Sequence, residues 1–277
     1  IARTIQDDEI AIIAGFQGVN QQNDVTTLGR GGSDTTAVAF AAALRADVCE
    51  IYSDVDGVFT ADPRVASAAR KIAALTYEET LEMASHGTKI LHLRAVEYAR
   101  RYDVPLHVRS SFSHKEGTWI VNESARNRWE GNNEAPIISG ISHDTSQAKI
   151  TVTGVPDKPG AAARIFQTVA DAGSSIDMIV QNVAPAGDYT DFTFTVSKGD
   201  YKRTLKMLEE QVIPDLGGGE VKGDDNIAKV SLVGVGMRSH AGVASKMFRV
   251  LADENINIRM VSTSEIKISV VIDEKQM

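Results

Sequence analysis

A single cysteine, Cys49, stands among the 277 residues. One thiol cannot build an internal disulfide framework or a multi-cysteine zinc site. Positive charge is also in deficit, with 29 Lys and Arg against 37 Asp and Glu, a formal charge of −8. An acidic surface argues against a dedicated phosphate-backbone binder, so no nucleic-acid partner is expected. Long apolar runs are missing: the best, Ala37 to Leu44, is far short of the roughly 18–20 residues that cross a bilayer. No leader-like apolar region stands near the start. A soluble cytoplasmic protein with no membrane partner is the expectation. What remains, with 43% hydrophobic residues, suffices for two or three modest domains.

Ile1 opens the chain without Met, and Met277 follows directly on the strand-like run Ile266 to Ile272. Both ends read as cuts through folded units, so a fragment of a longer protein is expected.

Short apolar runs alternate with helical patterns over the first 110 residues. Ile10–Ala14, Val48–Tyr52 and Leu106–Arg109 read as strands; Thr35–Arg45, Thr76–Ser85 and His92–Tyr102 read as helices. That alternation predicts an α/β fold, an open and mostly parallel sheet with helices on both faces. The polar stretch from Asn122 to Pro136, poor in aliphatic residues, reads as a linker that Trp129 could pin to a neighbour.

The second half repeats itself. Ala148–Val155 (AKITVTGV) returns as Ala228–Val235 (AKVSLVGV). Gly160 or Gly242 follows, then an amphipathic helix, Ala161–Ala172 or Val243–Glu254. Each helix leads into Ile176–Ile179 or Ile258–Val261, and then into a strand, Thr190–Val196 or Lys267–Ile272. A βαββ order recurring at about 80 residues is a duplicated ferredoxin-like unit, because solenoid repeats run about 20–50 residues.

Three segments of the first half carry chemistry. Gly29–Thr36 (GRGGSDTT) precedes the Ala-rich helix. Glycines permit a tight turn, and a helix start offers unpaired N–H groups and a positive dipole end to a carboxylate or phosphate. A plain turn with Ser33 or Asp34 as N-cap is the alternative. No Gly-Lys-Ser/Thr follows, which excludes a Walker A loop. Ser53–Arg64 (SDVDGVFTADPR) places carboxylates at the carboxyl end of a strand, where ligands of open α/β sheets bind. An Asx turn is the competing reading. Lys89, after Gly87, could neutralise phosphate charge or be an ordinary surface lysine. His86 and His92 lack the converging groups that a zinc site needs.

Together TTLGRGGSDTTA, YSDVDGVFTADPR, HGTKILHLRAVEYA and the duplicated half resemble the aspartokinase family over nearly the whole chain. The resemblance implies part of a carbamate-kinase-like amino-acid-kinase domain over 1–120 and a linker over 121–136. An ACT module over 137–226 and an incomplete second one over 227–277 would follow. It implies transfer of the γ-phosphoryl group of ATP, with Mg²⁺, to the side chain of L-aspartate. Arg30 and Ser33 resemble the groups that hold aspartate, and Asp34 the catalytic-site carboxylate. Ser53, Asp54, Phe59, Arg64 and Lys89 resemble the nucleotide contacts; many members carry Tyr where Phe59 stands. Asp157, Gly160, Gln181, Asn182 and Glu265 fall in loops that would bind lysine and/or threonine as effectors, in a homo- or hetero-oligomer formed through ACT modules. The family's Lys-x-Gly-Gly-Thr/Ser motif does not occur in these residues, so this stretch alone is expected to be inactive. A non-catalytic amino-acid-sensing subunit or fragment is the alternative function.

Overall fold

The computed structural model describes residues 9–88, 90–130, 136–183 and 188–277, together with Thr4. The chain divides into two compact units. One contains Ile1–Ser142, Ser231–Ala241 and Glu265–Lys267; the other contains His143–Val230, Gly242–Ser264 and Ile268–Met277.

In chain order the first unit begins with a hairpin, β1 (Gln17–Val19) and β2 (Val25–Thr27), paired antiparallel. Helix α1 (Gly32–Leu44) leads to β3 (Cys49–Ser53). Then come β4 (Ala74–Thr76), α2 (Tyr77–Ser85), α3 (Leu93–Tyr102), β5 (Leu106–Ser110), β6 (Thr118–Val121) and α4 (Glu123–Glu130). The sheet order is β3-β5-β6-β4. β3 is parallel to β5 and β4 to β6, whereas β5 and β6 are antiparallel. The helices pack through small and branched residues: Val38 and Ala41 of α1 and Ala95, Val96 and Ala99 of α3 share one core with Leu75, Leu106, Val108 and Ile120. Alanine at these positions lets helices and strands approach closely while water is excluded from both.

Helix α2 shows why the chain turns helical where it does. Thr76 accepts from the Glu79 amide, and the Glu79 side chain accepts from the Thr76 amide, a reciprocal capping box. Glu79 is wholly buried and does more than cap. Its carboxylate also receives Arg126 of α4 at 3.0 and 3.1 Å, the Ser139 hydroxyl at 2.5 Å and the Val235 amide at 3.0 Å. One charge thereby joins four segments of this unit.

One expectation needs correction here, and a second gains structural detail. Ile10–Ala14 is not a strand: Ile10 and Ile12 are 91% and 95% exposed and no ladder partner runs beside them among the described residues. An apolar run becomes a strand only when a neighbour takes its backbone groups. The stretch read as a linker contains α4, and its Arg126 is buried against Glu79. The pattern hid this because a buried arginine reads as a surface residue until its partner is known. The anchoring role expected of Trp129 concerns a side chain outside the described set, as are residues 131–135.

Further along run β7 (Gly140–Asp144), β8 (Gln147–Pro156), α5 (Ala161–Asp171), β9 (Ile176–Val183), β10 (Tyr189–Ser197) and α6 (Lys198–Met207). A π-turn over Leu208–Val212 precedes α7 (Ile213–Leu216). Then follow β11 (Glu220–Asp224), β12 (Ile227–Val233), α8 (Val243–Asp253), β13 (Met260–Thr263) and β14 (Lys267–Asp273). The first repeat forms the antiparallel sheet β11-β8-β10-β9. Its core joins Ile150, Val152, Ile165, Val169, Phe192 and Phe194, with Phe166 edge-on to both phenylalanines. The second sheet is ordered β13-β14-β12-β7 and so includes a strand that precedes the first repeat. Within the second unit Met178, Ile227, Met260 and Val271 form a further buried cluster, and the buried Lys229 pairs with Asp177.

Candidate active site and candidate effector cavity

The Gly29–Thr36 turn is shaped by two left-handed glycines, Gly29 at φ 76° and Gly31 at φ 74°. Gly31 is the N-cap of α1, and no side chain caps the helix. This decides against the simpler reading of Ser33 or Asp34 as a cap. At Gly31 a β-carbon would lie 2.0 Å from Cγ of His92, so only glycine fits by space as well as by dihedral angle. Thr35 and Thr36 return their hydroxyls to the Gly31 and Gly32 carbonyls, at 2.9 and 2.7 Å. Arg30 and Ser33 make no side-chain hydrogen bond or ion pair among the described residues, and both are exposed. An unclaimed guanidinium and an unclaimed hydroxyl therefore stand beside an uncapped, electropositive helix start.

Asp34 is half-buried in the first turn of α1, where its carboxylate accepts from the His92 amide at 3.4 Å. Burial, with the Asp34 charge nearby, pushes the Cys49 thiol up to about 11. Cys49 is consequently a protonated core residue rather than a nucleophile.

At the carboxyl end of β3, Ser53 Oγ donates to Asp54 at 3.1 Å, and the Ser53 carbonyl accepts from the Ser111 amide at 2.7 Å. Asp56, on the same loop, receives Lys115 at 2.9 Å and Ser113 at 2.8 Å; these hold its carboxyl below the usual range. Phe59 is half-buried and bridges to Lys71. Arg64 is 89% exposed on its side chain and is gripped by Asp62 at 3.0 and 2.7 Å. Lys115 and Ser113 escaped the sequence reading as partners of Asp56, since the pairings span 59 and 57 positions, whereas the Asp62–Arg64 clasp has the spacing of a turn. Lys89 lies outside the described residues.

Around the first repeat a cavity of about 300 Å³ opens against Asp157, Gly160, Gln181, Thr190 and Phe192. Gly160, at φ 96°, is the uncapped N-cap of α5. Asp157 makes no side-chain bond among the described residues, so it does not cap the helix. Gln181 donates to Thr190 at 3.2 Å. Of the expected effector residues the cavity unites Asp157, Gly160 and Gln181. Asn182 and Glu265 are not among its lining residues: Asn182 is exposed, its carbonyl held by Thr190, and Glu265 pairs with Arg238 at 3.5 Å. The second repeat begins α8 with an equivalent left-handed cap, Gly242 at φ 91°, but its preceding loop coils into a 3-10 turn over Val235–Ser239.

Residues 1–110 match the amino acid kinase family, and residues 149–212 and 230–277 each match the ACT domain. The class is an amino-acid-kinase segment joined to paired ACT domains. The aspartate kinase Ask_LysC of Stutzerimonas stutzeri is 55% identical over 277 residues, and an aspartokinase of Pseudomonas aeruginosa is 54% identical. With that identity over its whole length, the chain belongs to the aspartokinase family. It spans 66% of the length of each of these two relatives. Among solved structures, the aspartate kinase of Clostridium acetobutylicum superposes with a TM-score of 0.81 at 25% identity, over 99% of this chain and 63% of that one. E. coli aspartokinase III in complex with aspartate and ADP gives 0.75 at 29%, over 97% and 58%. No helix among the described residues is long and apolar enough to cross a membrane.

Proposed function

We propose that the full-length protein is an aspartate kinase, which transfers the γ-phosphoryl group of ATP to the side-chain carboxylate of L-aspartate. The product, 4-phospho-L-aspartate, opens the route to lysine, threonine and methionine. The observation that carries this reading is the unclaimed Arg30 and Ser33 beside the uncapped start of α1. A guanidinium fork suits a carboxylate, and the helix dipole adds to it. Asp34 then orients the reacting groups, and the Ser53–Arg64 loop with Lys89 takes the nucleotide, a role supported by its place at a strand's carboxyl end. Carboxylate attack on phosphorus is opposed by anion repulsion, which fixed cations relieve. Among the described residues no three His, Cys, Asp or Glu side chains converge on a metal site. Mg²⁺ in this reading is held chiefly by the phosphates, with one or two carboxylates such as Asp54.

In this proposal the kinase part covers 1–120, a connector 121–136, and ACT modules 137–226 and 227–277. Pairing of such modules between subunits, alike or different, would build the oligomer. Lysine and/or threonine are the effectors, with Asp157 taking the ammonium group, amides near Gly160 the carboxylate, and Gln181 a further polar contact. E. coli aspartokinase III, similar in structure to this chain, has been crystallised with lysine and aspartate.

Two experiments on the full-length protein test these proposals. Incubation with Mg-ATP, hydroxylamine and either L-aspartate or L-glutamate should yield hydroxamate from aspartate. Product from glutamate alone would assign a different amino-acid kinase, and product from neither would favour a sensing subunit. Calorimetric titration with lysine and threonine should show binding by at least one. Asp157→Ala should weaken it by about tenfold or more, the loss of one charge-assisted contact. Unchanged binding in the variant would move the effector site elsewhere.

A further inference from the structure

We propose that Arg94, from the first turn of α3, is a positioning residue for the acceptor-binding turn, assisted by His92. The inference rests on the reading of Gly29–Thr36 as the acceptor site. One guanidinium nitrogen of Arg94 donates both to the Leu28 carbonyl, at 2.7 Å, and to the Arg30 carbonyl, at 3.1 Å. These carbonyls lie on either side of Gly29, which is left-handed and has open space where its side chain would be. Nothing about Gly29 itself restricts the turn, because glycine visits many backbone states at little cost. The strap selects one of them. It clamps the backbone of Arg30 while leaving the Arg30 side chain unclaimed.

His92 braces the same turn from the adjacent position. Its ring occupies the space over Gly31 that a β-carbon would need, and its amide donates to Asp34. Its Nδ1 is buried without a hydrogen-bond partner among the described residues, so the ring is placed there by packing against the turn. The anchor is firm because α3 is rooted by Ala95, Val96 and Ala99, all fully buried in the core it shares with α1. Helix α3 therefore carries the rigidity of the core to a turn that has little of its own. The strap fixes the acceptor turn directly to a helix rooted in the core, and correct placement of a reacting group is worth a large part of a two-substrate reaction.

The test uses full-length protein carrying Arg94→Met, which keeps an aliphatic stem and removes the donors, and Arg94→Lys, which restores a charged donor. Arg94→Met should raise KM for aspartate roughly tenfold, as expected for two lost charge-assisted bonds that act indirectly. KM for ATP should stay within about twofold, and Arg94→Lys should recover part of the loss. Hydrogen exchange at the Gly32 and Thr35 amides, bonded within the turn to Gly29 and Gly31, should speed up in Arg94→Met, because local opening becomes easier. Unchanged exchange would overturn the strap. Faster exchange with an unaltered KM for aspartate would overturn its part in acceptor binding. The exchange measurement decides the strap whichever acceptor the enzyme uses, and the hydroxamate assay on the unmodified protein reports separately on the acceptor itself.

Discussion

Glu79→Ala should be the most damaging single substitution in the first unit, lowering stability by about 3–5 kcal/mol. The carboxylate is fully buried, and its removal takes away the acceptor that receives Arg126, itself 1% exposed, at 3.0 and 3.1 Å. It also leaves the Val235 and Thr76 amides without their acceptor. Each such loss adds to the cavity left by the deleted atoms. The midpoint of thermal unfolding should fall by about 10 °C for a unit of this size. Glu79→Gln is the informative companion. It keeps an oxygen for Val235 and a similar shape but removes the charge, so its penalty should be distinctly smaller than that of the alanine. A thermal midpoint in Glu79→Ala within a degree or two of the unmodified protein would show that this network contributes little.

The same residue shows how far the sequence could be read. Thr76 followed by Glu79 is a local signal, and the start of α2 was legible from it. The other partners of Glu79 stand 47 to 156 positions away, and no periodicity announces them. Arg126 sat in a stretch that composition made look like a linker, because the carboxylate it is buried against stands 47 positions away. The duplicated half was easier. Each copy writes its strand, glycine and amphipathic helix in order, and Gly160 and Gly242 cap their helices in matching left-handed conformations. That a strand ahead of the first copy lies in the sheet of the second is a matter of pairing between remote segments, which local pattern does not encode. In the candidate site the sequence located the glycine turn and its residue types. It left open whether Ser33 or Asp34 caps α1, and the answer, that Gly31 does, depends on His92 filling the space above it.

The turn's chemistry is tested by substituting the two charged residues it presents. In the full-length protein Arg30→Ala should raise KM for aspartate by about 10–100-fold, the range for a charge-assisted pair with a carboxylate. Asp34→Asn should instead act on kcat, lowering it by about 100-fold, because an orienting carboxylate matters most once charge develops in the transition state. KM for ATP should change by less than about threefold in both, since the nucleotide is assigned to the separate Ser53–Arg64 loop. Of these quantities, KM for aspartate in Arg30→Ala bears most directly on the central claim that the Gly29–Thr36 turn seats the acceptor carboxylate. A rise of at least about tenfold, with KM for ATP nearly constant, is the predicted result; an aspartate KM equal to that of the unmodified enzyme would contradict it.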